Sequence, residues 1–178
     1  MLPYYENSGW NLGNVDPDKI NEFTYVGKDA VWLDDRAGGL FYWATYVPRV
    51  LGKGTFYLTG IKDSNGNYLR ADRNYKLTVQ KDIPVEQFWS VFAYEMETKA
   101  FISSEINRPG LSSFELPKMI KNKDVSVDIF FVEKAPEGKE SNWIPTGGKD
   151  FFLMFRFYGP QPEVFDKSFK PNEIEQVD

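Results

Sequence analysis

The 178-residue sequence predicts a mainly β fold, an antiparallel β-sandwich or jelly roll with one N-terminal helix and an extended C-terminal tail. Three observations predict it. Aromatic side chains make up 17% of the chain, and such groups favour pleated, half-buried surfaces. From Gly54 to Tyr158, apolar residues recur with a period of two. Turn signals divide that span into short pieces, a pattern of stacked sheets rather than of alternating strands and helices.

Residues 1–29 read as an irregular entry segment, polar and broken by Gly9, Gly13, Pro17 and Gly27. The β-sandwich domain then runs over 30–178. Its first element is the helix. Leu40, Trp43, Ala44, Val47 and Leu51 follow helical spacing, Asp34 and Asp35 suit a helix start, and Pro48 disfavours helix at Val47. In 55–61, Phe56 and Leu58 share one face of a strand. Asp63-Ser64-Asn65-Gly66 is a turn signal. Tyr75, Leu77 and Val79 mark the next strand, expected to lie beside the first. In 88–95 both faces are apolar, which suits a central strand, and 99–103 is read as its short partner. The segment 104–124 reads as polar loop. Val127, Ile129 and Phe131 give the cleanest one-sided alternation, and 136–149 reads as loop again. A last strand, 151–158, is apolar on both faces except at Arg156. Pro160, Pro162 and Pro171 punctuate the extended tail, with partial helix expected around 163–167.

Composition narrows the chemistry. The chain has no Cys and no His, so it cannot build a Cys nucleophile, a Ser–His pair, or a zinc site of thiolates and imidazoles. The formal net charge is −5, without a concentrated basic face, so no nucleic-acid partner is expected. No apolar run reaches the ~20 residues that cross a bilayer as a helix, and no signal peptide is visible. No phosphate loop or dinucleotide fingerprint occurs, and no cofactor and no metal are expected. Asp63-Ser64-Asn65-Gly66-Asn67 resembles the opening of a calcium loop, but Asn74 stands where that loop needs a bidentate Glu. It is read as a strand-connecting turn.

The candidate ligand-binding residues are Arg108, Glu140, Asn142, Trp143 and Arg156. Glu140, Asn142 and Trp143 lie in the unusual segment 135–146, where carboxylates and an amide crowd a tryptophan. Trp143 would serve as a stacking platform for a sugar. Glu137 or Glu140 with Asp150 would serve acid–base work. Arg156, inside an apolar strand, needs a carboxylate partner such as Asp128 or Glu140, or else an acidic ligand. Arg108, before Pro109-Gly110, carries the same two readings on a loop.

Asp34-Asp35-Arg36 with Phe41-Tyr42-Trp43-Ala44-Thr45, Phe88-Trp89-Ser90-Val91, the run from Lys134 to Thr146, and Phe155-Arg156-Phe157-Tyr158-Gly159-Pro160 together resemble the domain of unknown function 1214. The resemblance covers roughly 30–177. It implies a jelly-roll-like β-sandwich, a bacterial or viral source and a periplasmic or secreted setting. It also implies a companion, the domain of unknown function 1254, on the N-terminal side. It supplies no catalytic residue. The expected role is a binding module, with a glycan as one ligand, or an assembly module that docks its companion or a second copy. The alternative is a carboxylate-dependent hydrolase of a polysaccharide or ester.

Overall fold

The computed structural model describes residues 3–12 and 53–178. The expected helix and most of the entry segment lie outside the described residues. Within them the chain is mainly β, with two sheets and very little helix. The strands are β1 (Trp10–Asn11), β2 (Thr55–Gly60), β3 (Asn74–Val79), β4 (Val85–Glu95), β5 (Gly110–Ser112), β6 (Val127–Val132), β7 (Trp143–Pro145), β8 (Phe151–Pro160) and β9 (Glu175–Val177). A single helical turn, α1 (Pro162–Phe165), follows β8 where partial helix was expected.

One sheet has the order β1-β2-β8-β4-β5 and the other β7-β6-β3-β9. All pairings are antiparallel except β6–β7, which is parallel. The departure follows from the 133–142 connection, which brings the chain back so that β7 starts opposite Phe130 and runs in the direction of β6. The expectation that β2 and β3 are neighbours is corrected. They sit in different sheets, joined only by the bridge Lys62↔Tyr68 at the base of their turn. Each instead pairs with a strand far along the chain, β2 with β8 and β3 with β6.

The alternation read from sequence is the alternation of burial. In β8, Phe151, Leu153, Phe155 and Phe157 are fully buried, while Phe152, Met154, Arg156 and Tyr158 are only partly covered on the other face. In β4, Trp89, Val91 and Ala93 face the core. In β3 and β6 the core-facing set is Tyr75, Leu77, Val79, Val127, Ile129 and Phe131, and Val132 is buried as well. The inner faces share one core. The Phe151 ring lies 5.7 Å from that of Tyr75 and 6.1 Å from that of Phe131, so β8 of one sheet meets β3 and β6 of the other. Opposite Pro160, which has no N–H for the ladder, the β4–β8 register slips between Val85 and Phe88.

Two short strands interrupt segments expected as loops. β5 pairs with β4 through Ser90↔Ser112 and Phe92↔Gly110. Gly110 is required there, since a Cβ would stand 2.6 Å from the Phe92 ring. Ser112 then caps a turn of 3-10 helix, Ser113–Glu115, and the Glu115 carboxylate accepts the Ser112 N–H at 2.7 Å. The segment 99–103, expected as a strand, forms only the bridge Tyr94↔Phe101. Lys99, at φ 61°, turns the chain too sharply for a ladder.

Candidate ligand-binding site

The 133–147 segment folds around Asn142. Asn142 is fully buried. Its Nδ2 donates to the carbonyls of Ile120 and Asp128, both at 2.9 Å, and its Oδ1 accepts the Ile120 N–H at 2.8 Å. The amide thus stands in for a peptide group and ties the 120 loop to β6. Trp143 follows at the start of β7. Its Nε1–H donates to the Val132 carbonyl at 2.9 Å, which fixes the indole against the end of β6. Arg108 reaches across from the 104–109 loop and donates from Nη1 to the carbonyls of Glu140, at 2.6 Å, and Trp143, at 3.2 Å.

These locks leave a cleft of ≈ 590 Å³ between the 103–106 loop and the 133–147 segment. Trp143, Pro145 and Gly147 line one side, Ser103–Ile106 another, and Glu133 with Lys134 the rim. Gly147 lets the two loops close up, because its φ is 60° and a Cβ would come within 2.6 Å of the Ser103 carbonyl. The Ser104 hydroxyl oxygen is buried without a hydrogen-bond partner. The cleft offers carboxylate acceptors at Glu105 and Glu133, an ammonium donor at Lys134 and an aromatic surface at Trp143. Two residues past Gly147, Lys149 pairs with Glu95 at 3.0 Å. That ammonium and the Thr98 hydroxyl hold the Glu95 carboxyl below its usual range.

Four of the five sequence-derived candidates gather here, but mainly as framework. Asn142 spends its amide on backbone, Arg108 on carbonyls, and the Glu140 carboxylate accepts the Gly138 N–H at 3.2 Å. Trp143 alone of the five lines the cleft. Asp150 is also engaged, pairing with Arg70 at 3.0 Å and accepting the Ala71 N–H at 2.8 Å. The turn at Asp63 behaves as read. Its Oδ1 accepts the N–H groups of Asn65 and Asn67, both at 2.9 Å. Glu105, Glu133 and Ser104 were missed, because nothing in their spacing sets them apart from solvated loop residues.

Arg156 lies elsewhere, on the outer face of the five-stranded sheet. It pairs with neither Asp128, whose Oδ1 accepts the Thr78 hydroxyl, nor Glu140. Its Nη2 donates to the Tyr94 hydroxyl. Its guanidinium carbon stands 5.0 Å from the Phe92 ring centre, 5.4 Å from Tyr57, 5.7 Å from Tyr94 and 5.8 Å from Phe101.

A family model described as "Protein of unknown function (DUF1214)" matches residues 54–162, a span that holds both the cleft and Arg156. The fold is similar to the crystal structure of the VPA0106 protein from Vibrio parahaemolyticus, with a TM-score of 0.65 and 22% identity over 81% of this chain and 35% of that one. A putative uncharacterized protein from Burkholderia cenocepacia gives a TM-score of 0.45 and 17% identity over 69% of this chain and 29% of that one. The chain therefore spans about a third of the length of these structures. No curated protein matches it. No helix among the described residues is long and apolar enough to cross a membrane.

Proposed function

Because the chain belongs to the DUF1214 family, whose membership names no ligand, we propose from the site's own chemistry that it is a binding module for a glycan-type ligand in the Trp143 cleft. The observation that carries this reading is an anchored tryptophan on the wall of a cleft whose lining also holds hydroxyl, carboxylate and ammonium groups beside Ile106 and Pro145. A sugar presents an apolar face for an aromatic ring and a rim of hydroxyls that both donate and accept. Glu105, Glu133, Lys134 and Ser104 are the counterparts to that rim. Trp143 is held by its own N–H and by Arg108 at its carbonyl, so little ordering remains to be done on binding.

Calorimetric titration with a panel of neutral oligosaccharides tests this. Saturable binding is expected, weakened at least ~10-fold, about 1.4 kcal/mol, by Glu133→Gln or Ser104→Ala, with unchanged melting temperature. Absence of saturable heat with every saccharide, or unaltered affinity in both variants, would sink it.

Glu105 and Glu133 on one cleft favour a second reading, a carboxylate-dependent hydrolase, which turnover of a polysaccharide or ester abolished by Glu133→Gln would establish. The jelly-roll-like sandwich arrangement, an extracytoplasmic setting, and a companion such as the domain of unknown function 1254 or a second copy belong to the same proposal. The sandwich arrangement draws support from the shared core of the two sheets, and the companion from the greater length of the Vibrio structure; the setting rests on the family resemblance alone.

A further inference from the structure

The outer face of the five-stranded sheet carries a second polar centre that shares no residue with the cleft. Arg156 projects there because its neighbours Phe155 and Phe157 are both fully buried on the inner face. Its register partners are Tyr57 in β2 and Ser90 in β4. Four rings surround the guanidinium, and their π-faces stabilise its charge. The Phe92 and Phe101 rings offer no oxygen or nitrogen acceptor for its N–H groups. Arginine carries five such donors in a planar fork, and the Tyr94 hydroxyl accepts from only one nitrogen. The Nε is buried without an acceptor. Ser90, 2% exposed, likewise has a buried hydroxyl without a partner. Among the described residues no carboxylate lies within ion-pair distance of Arg156.

A charge enclosed by rings, a buried donor without an acceptor, and the unpartnered Ser90 hydroxyl on the adjoining strand share one remedy. We propose that this face is a binding site for an organic carboxylate with an apolar or aromatic body. The carboxylate oxygens accept from the free edge of the Arg156 guanidinium, a match of planar fork to planar anion that a lysine does not offer. Ser90 supplies a further donor. The apolar body rests on Phe92 and on Phe101, which is 48% exposed. A hydrated inorganic anion would gain the charge pairing but would leave the rings unused.

The probe is phenylacetate, with 2-phenylethanol as its neutral counterpart and inorganic phosphate as a bare anion. Titration is followed by the Arg156 Nε–H resonance and by calorimetry on the whole chain. Phenylacetate is expected to saturate and to shift that resonance, with the alcohol and phosphate each at least ~10-fold weaker. Arg156→Lys should weaken phenylacetate by about the same factor and Ser90→Ala by a few-fold, with melting temperatures kept. Should Arg156→Lys fail to fold, Ser90→Ala and the alcohol comparison still decide. Equal affinity for acid and alcohol, no saturation with phenylacetate, or binding confined to a Glu-rich peptide would each overturn the assignment.

Discussion

Asn142 makes hydrogen bonds with every polar atom of its side chain, and none of its partners is adjacent in sequence except Ser141. Replacing it by Ala would leave the Ile120 N–H and two carbonyls of this part-buried contact without their partner. Each orphaned group costs about 1–3 kcal/mol, so Asn142→Ala should lose about 3 kcal/mol or more by urea denaturation. A loss below about 1 kcal/mol would mean that the amide is not the clasp described. The residue stood out in the sequence, but for a reason the sequence does not contain. An amide that meets a ligand and an amide that meets a distant backbone look the same on paper. Buried phenols give a second expectation at this scale. Burial, and secondarily the Asp166 charge, pushes Tyr4 up to about 12, and burial raises Tyr5 as well. The unfolded chain ionises its phenols near ~10, so both states are neutral below that pH and stability is unaffected. Between there and about 12, the unfolded state gives up protons that the folded state keeps, and stability falls. Melting temperature should therefore be flat towards pH 9 and drop steeply above 10, with a shallower drop in the Tyr4→Phe, Tyr5→Phe double variant. Identical profiles for the two proteins would refute the assignment.

At the scale of elements, period and length decide what the sequence discloses. β3, β4, β6 and β8 run six to eleven residues, long enough for alternation to register, and all four were legible. β5 and β7 have three residues each, too few to show a period, and their segments read as loop. Partner choice was not legible at all. β2 and β3 are joined by a tight turn signal, yet each finds its mate elsewhere, since both apolar faces must be covered and a two-stranded ribbon covers neither. Centrality follows from β8 lying between β2 and β4. Phe155 sits there against Trp10, Trp89 and Phe157, with ring centres 5.9, 5.9 and 4.5 Å away. Phe155→Ala should cost about 3–5 kcal/mol, which denaturant titration will register. A cost under about 1 kcal/mol would require the core to collapse around the gap, contrary to its close packing.

For the whole molecule, the two ends of the described chain are tied to each other. Trp10 donates from its indole N–H to the Asn172 carbonyl at 2.9 Å, and Gly9 donates to the Glu173 carboxylate at 2.8 Å. Ile174, buried, presses on Gly60, where a Cβ would stand 2.7 Å from its Cδ1. Removing 172–178 should therefore release 3–12 as well. Proteolysis followed by N-terminal sequencing would then find new cleavage within 3–12, together with a lowered melting temperature. Continued protection there would show that β1 is held by β2 alone. The mainly β architecture could be anticipated because alternation is local. The site could not, because the cleft joins two loops far apart in sequence, 103–106 and 133–147.

The position of β8 has a bearing on how the protein is made. A ribosome delivers β2 and β4 well before the strand that must slot between them. Until residue 160 has cleared the exit tunnel, both carry open edges and apolar faces that only β8 can close. The nascent chain is thus most vulnerable to aggregation late in synthesis, and holding it by a chaperone during that interval would raise the yield of folded protein more than help given after release.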